Sequence, residues 1–217
     1  LKQRYFLAYL PSLQAIDWQN TGNIMNTVTA IKYYSIEDYL AAEEKAEFKS
    51  EYYSGEIYPM EGGTINHNQI IINICIILGI AFKKCDYRVF AGDVKLHIPH
   101  TESFTYPDIL VIKGQPDYWQ NRRDIVCNAV VIIEVLSDST KDYDRAGKFE
   151  IYRGLPGLQD YILVSQDKVH VEHFVKQAPN QWLLTEYSAL AEVLNIAQLG
   201  ETLALGDIYD KVDLQHE

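Results

Sequence analysis

A chain of 217 residues with 19 Lys and Arg against 30 Asp and Glu has a net charge of −11, which argues against a protein that binds nucleic acid through bulk positive charge. At 47% hydrophobic and 23% charged residues it can build one sizeable core, and both disorder and a collagen-like composition are excluded. Cys75, Cys85 and Cys127 form no CxxC pair and leave an odd count, so no disulfide framework or structural zinc site is indicated, and a reducing cytoplasm is expected.

Residues 1–24 lack strong periodicity and end just before Met25. They read as an N-terminal extension upstream of the native start, with 25–217 as a single domain. A secretory leader is the competing reading, because Lys2 and Arg4 precede the apolar YFLAYL, but Pro11 follows at once and no small-residue cleavage site is evident. Ser35 with Asp38 predicts an N-cap for a short helix to about Glu44, with Glu37 and Asp38 favourable in its first turn. Ser54-Gly55 marks a hairpin turn. Thr64 or Asn66 then caps a long helix over residues 66–84, whose near-continuous Ile and Leu content predicts cover on most sides. The apolar run at 70–82 is interrupted by Asn73 and is too short to cross a hydrocarbon core of about 30 Å, so no membrane association is expected.

Beyond that helix the hydrophobic period falls from 3.6 towards 2. Residues 87–98 read as one bent or broken strand, 104–113 as a second, and AVVIIEVLS at 129–137 as a third, buried on both faces. A helix is expected from about Ser139, capped by Ser139 or Thr140 and stopped at Pro156-Gly157. Residues 160–176 read as two strands turning at Gln166-Asp167, and the weakly patterned tail as ending in a helix at 206–212. This order predicts an α/β or α+β fold, a mixed central sheet flanked by helices.

Two acids lie where acids are expensive. Asp108 follows Pro107 inside the second strand and Glu134 interrupts the third, and each must be paired, hydrogen-bonded or bound to a cation if it is buried. Carboxylates on neighbouring strands suit a hard divalent cation such as Mg²⁺, which takes oxygen ligands and is used in phosphodiester hydrolysis.

Pro107-Asp108 followed by Glu134 resembles the PD-(D/E)xK nuclease signature. The longer run IIEVLSDSTKDYDRAGKFEIYRGLPGLQDYILV is similar to a large family of restriction-endonuclease-like proteins, over roughly residues 36–175. The resemblance implies a restriction-endonuclease-like core and a metal-dependent endonuclease acting on DNA, with Asp108, Glu134 and Glu51 on Mg²⁺ or Mn²⁺. The signature's lysine two residues after the acid is missing, since Val135 and Leu136 follow Glu134. Lys148 is the substitute: Asp144 and Lys148 sit at i and i+4 on one helix face, where the resembling family also carries a lysine. Lys148 either reaches the scissile phosphate or is a solvated partner of Asp144.

Glu51 is the resembling family's first metal-side acid or an exposed strand residue, with Glu56 and Asp93 as weaker candidates. His67, at the long helix's N-terminus, matches a family histidine and is expected to be neutral there, either serving phosphate or water or simply capping. His97, His100, His170, His173 and His216 show no ligand spacing with acids and are expected on the surface. No GxSxG elbow or phosphate-binding glycine loop is present. The alternative to an endonuclease is a catalytically inactive nuclease-fold module for nucleic-acid binding or protein interaction, and an unrelated metal hydrolase is a third reading. A homodimer is expected from the resemblance and from the two active sites that cutting a duplex requires.

Overall fold

The computed structural model describes residues 33–60, 62–137 and 144–214. The expected N-terminal extension, the Ser139 and Thr140 caps and His216 lie outside the described residues. Helix α1, Ile36–Glu43, starts where the Ser35 side chain accepts from the Asp38 amide and Asp38 reaches back to the Ser35 amide, a reciprocal cap that satisfies two otherwise orphaned donors. Strands β1, Ser50–Tyr53, and β2, Glu56–Pro59, are joined through Ser54 and Gly55. Both take positive φ, 45° and 100°, as a tight two-residue hairpin requires.

Thr64 caps α2, Ile65–Ala81, accepting from the His67 amide at 3.1 Å. Ile70, Ile74 and Leu78 form its buried stripe, each worth about 1.5–3 kcal/mol of removed apolar surface. The expected cover on most sides is not found. Ile72, Ile76 and Ile80 are 52%, 55% and 62% exposed among the described residues, because a single stripe suffices to pack one helix on one sheet face. With its flanks, Ile65–Lys84 is long and apolar enough to cross a membrane by length and composition alone, a length that counting only 70–82 missed.

The expected strand at 87–98 is two strands, β3 (Tyr87–Ala91) and β4 (Lys95–Ile98), broken at Gly92 with φ 65°. The expected strand at 104–113 also divides, into β5, Ser103–Thr105, and β6, Ile109–Lys113. Pro107 has no N–H to give a ladder, so pairing stops before it and Asp108 sits at the mouth of β6 rather than inside a strand. Next come β7, Ile125–Val126; β8, Ala129–Leu136; a π-helical turn, Asp144–Lys148; α3, Phe149–Tyr152; β9, Asp160–Ser165; and β10, Val171–Ala178. The tail supplies β11, Gln181–Tyr187; β12, Val193–Ile196; β13, Glu201–Ala204; and α4, Leu205–Ile208. Those three strands lie where sequence patterning is weak.

The principal sheet has the order β11-β10-β9-β8-β6-β3, antiparallel except for the parallel pair β8 and β9. A second mixed sheet, β2-β1-β5-β4-β7, and the pair β12-β13 complete the strands. One face of the principal sheet packs on α2 and α4 through Ile109, Val111, Val131 and Ile133, and the other on α3 through Leu110, Ile132, Leu136 and Leu163. β8 is covered on both faces, as its unbroken apolar run requires.

Candidate active site

Register places Asp108 beside Glu134. Ile109 pairs with Ile133 and the strands run antiparallel, so the residue before β6 faces the one after Ile133. The two are tied by crossed bonds. The Asp108 amide donates to Glu134 Oε2 at 3.2 Å, and the Val135 amide donates to Asp108 Oδ2 at 2.8 Å. His67 Nε2 lies 3.1 Å from the same Oδ2, so α2 enters the site through its first turn. Asp108 Oδ1 makes no bond among the described residues.

Glu134 is 1% exposed. Its Oε1 accepts from Lys148 Nζ at 3.2 Å and from the Tyr152 hydroxyl at 2.8 Å. Lys148 Nζ also lies 3.2 Å from Asp144 Oδ1 and 3.7 Å from Glu51 Oε1. Glu51 comes from the hairpin of the second sheet, where its Oε1 accepts from the Tyr106 amide at 3.1 Å and its Oε2 from the Tyr53 hydroxyl. Neither bland alternative is found: Glu51 is not an exposed strand acid and Lys148 is not a solvated partner of Asp144 alone, since both are buried.

Four carboxylates therefore share the site with one ammonium: Glu51, Glu134 and Asp144 lie within 4 Å of it and Asp108 is tied to Glu134, a surplus of three negative charges when all are ionised. Burial pushes the Glu134 carboxyl well above the usual range; Lys148 opposes this, and the fields of Asp108, Asp144 and Glu51 add to it. For Lys148 burial acts downward, but Glu134, Glu51, Tyr152 and Asp144 outweigh it and hold the ammonium well above its ordinary range. Such a site must take up protons or a cation. The donor type suits a hard divalent cation, since all are carboxylate oxygens and Asp108 keeps an unbonded one, but Glu51, Asp108 and Glu134 do not bring one oxygen each within 4.8 Å of one another as they stand. Glu51, Asp108 and Glu134 are the residues that would hold it.

The other candidates fall elsewhere. Asp93 pairs with Lys49 at the surface, and Glu56 accepts from the Tyr58 hydroxyl two residues along the same strand. The histidines correct the sequence expectation. His97 is buried against Phe104 and Trp119, His173 is buried with Nε2 2.7 Å from Asp160 Oδ1, and His170 Nε2 lies 3.3 Å from Glu172 and 3.6 Å from Glu186. Asp160 and Glu186 reach their histidines from neighbouring strands, which spacing along the chain cannot reveal, whereas Glu172 stands only two residues after His170. His170, Glu172 and Glu186 bring ligand atoms within 4.8 Å of one another, but Arg145 lies 2.6 Å from Glu172 and already supplies a positive charge there. Of the expected surface histidines, only His100 is exposed among the described residues.

Sequence reasoning missed Tyr152, Tyr53 and the Tyr106 amide. Tyr152 alone left a trace: Asp144, Lys148 and Tyr152 recur every four residues along one face.

The architecture and site define a restriction-endonuclease-like protein. A crystal structure from Anabaena variabilis, of "a putative nuclease belonging to DUF820", matches with a TM-score of 0.66 at 19% identity, covering 80% of this chain and 96% of that one. The chain belongs to the Uma2 family, described as "Putative restriction endonuclease", whose match spans residues 36–206. Two Synechocystis relatives, the uncharacterized proteins sll1609 and slr1290, are 40% and 34% identical over 75% and 81% of this chain, and 92% and 90% of their own lengths.

Proposed function

We propose that this protein is a metal-dependent endonuclease that hydrolyses DNA phosphodiester bonds, with Glu51, Asp108 and Glu134 holding Mg²⁺ or Mn²⁺. The observation that carries the reading is the convergence of Glu51 and Glu134, from two sheets, on the buried Lys148, with Asp108 tied to Glu134. When bound, the ion supplies an activated water and offsets charge on the phosphate. Lys148 acts as a cationic donor to a phosphate oxygen or the attacking water. Tyr152 and the Asp108 amide fix the two oxygens of Glu134. His67 Nε2 lies 3.1 Å from Asp108 Oδ2, so the Nε2–H tautomer would donate to that carboxylate and orient it.

The test is cleavage of supercoiled plasmid and of linear duplexes by purified protein in Mg²⁺ or Mn²⁺. Nicking or cutting that Asp108→Ala and Glu134→Ala both remove is the expected outcome. No cleavage of any substrate would leave the inactive nuclease-fold module as the better reading, and cleavage surviving both substitutions would point to another site.

The acting form in this reading is a homodimer in the cytoplasm. The free cysteines suit a reducing compartment. In a chain of net charge −11, α2 has no charged residue, so two copies can meet on Ile72, Ile76 and Ile80, with Asp207 and Asp210 beside Ile76. Ile76→Glu should convert a dimer to a monomer by light scattering; a monomeric parent protein would refute the pairing.

A further inference from the structure

Beside the site, but not part of it, a cavity of about 220 Å³ is lined by Glu43, Lys49, Lys95, Tyr106, Arg122 and Asp124 among others. Lys95, at the start of β4, is only 3% exposed. Its ammonium lies 4.8 Å from the ring centroid of Tyr39 and 5.3 Å from that of Tyr106. Among the described residues it makes no hydrogen bond and no ion pair. An ammonium that has lost its water and gained only two aromatic faces is under-compensated, because cation–π contact lacks the directional acceptors that its three N–H groups need. Burial depresses its pKa although Glu43 and Asp124 pull the other way.

Of the four acids that line the cavity, Glu43, Glu44, Glu47 and Asp124, all but Glu47 are committed. Glu43 accepts from the Ser50 amide and hydroxyl and from the Tyr106 hydroxyl. Glu44 and Asp124 both hold Arg122, and Lys49 is bound to Asp93. What remains is a buried cation open to the cavity, a setting that calls for an anion's oxygens. The cavity is next to the carboxylate site along two segments. Tyr106 forms part of its wall while its amide holds Glu51 Oε1, and Ser50, fixed by Glu43, precedes Glu51 in β1.

We propose that this cavity is a phosphate subsite, in which Lys95 receives a phosphate group of the nucleic-acid strand flanking the one presented to Lys148. The inference rests on the nuclease reading for the identity of the strand, but the phosphate site itself stands on Lys95 alone. Lys95 is a binding residue here, so its loss acts on affinity rather than on the chemical step.

The test uses the full chain and Lys95→Met, which keeps the stem and removes the charge. Anisotropy of a fluorescent single-stranded oligonucleotide, measured across a salt series, should show about tenfold weaker binding and a salt slope lowered by about one phosphate contact. Where cleavage is measurable, KM should rise about tenfold with the loss falling on KM rather than kcat. Running the same series with and without a 5′-phosphate separates a backbone phosphate, lost in both, from a terminal one, lost only in the phosphorylated series. A second arm needs no variant: inorganic phosphate should displace the oligonucleotide from the parent protein better than chloride at equal ionic strength. Phosphate acting no better than chloride, or an unchanged affinity and slope in a folded Lys95→Met, would overturn the subsite. Absence of cleavage with phosphate competition intact would remove the nuclease reading and leave the subsite standing.

Discussion

The principal sheet buries acids on both faces, and the two cases are built in opposite ways. On the α2 side Asp160 is matched one to one with His173, 2.7 Å away, and both are almost fully covered. On the α3 side Glu134 shares a single lysine with Asp144 and Glu51 and has Asp108 as a further acidic neighbour. The first arrangement sets one acid against one base, although Asp160 Oδ2 is left without a hydrogen bond among the described residues. The second carries a surplus of negative charge that folding alone cannot offset, which is the mark of a site that takes a cation or does chemistry. A buried acid is therefore not the signal; an uncompensated group of them is.

Substitution at Glu134 should separate the two faces most sharply. Glu134→Ala is expected to lower plasmid cleavage at least a thousandfold, about 4 kcal/mol of transition-state stabilisation, and to leave a folded protein by circular dichroism. Asp160→Ala should do the reverse, costing about 3–5 kcal/mol of folding free energy in urea denaturation because His173 loses its buried partner, with cleavage per folded molecule unchanged. If Asp160→Ala abolishes cleavage in a folded protein, the contrast fails.

Lys148→Met comes next. It should cost about a hundredfold in cleavage rate, and it should destabilise the metal-free protein, since four carboxylates then lack their only ammonium. Lys148→Arg should recover part of the stability, and the comparison of denaturation midpoints checks it. Opposite signs are expected for two conservative neutralisations without added metal. Glu51→Gln should stabilise by about 1 kcal/mol by relieving repulsion, whereas Asp160→Asn should destabilise; equal signs would mean that the surplus is not felt by the fold. The smallest effect belongs to Tyr152→Phe, which removes one bond to Glu134 Oε1 and should slow cleavage about tenfold while costing about 1 kcal/mol of stability.

Much of this was legible in the chain because it is local. The Ser35 cap, the Ser54-Gly55 turn, the Thr64 cap and the apolar run of β8 are set by neighbouring residues, and each falls where sequence places it. Asp108 and Glu134 stood out through their cost, and the extended run around Lys148 gave the family. What was not legible is cross-strand. The delivery of Glu51 to Lys148 from a separate hairpin and the pairing of His173 with Asp160 both depend on register between distant segments. The exposed stripe of α2 was hidden for a different reason: isoleucine on every face looks the same in sequence whether or not something covers it.

The most direct measurement is isothermal titration of Mn²⁺ into the protein at fixed ionic strength, compared with Glu134→Gln and Asp160→Asn. Saturable binding that Glu134→Gln removes and Asp160→Asn leaves intact is the expected result. Binding that neither substitution changes, or no binding to the parent protein at all, would contradict the assignment of the Glu51, Asp108 and Glu134 carboxylates to a metal.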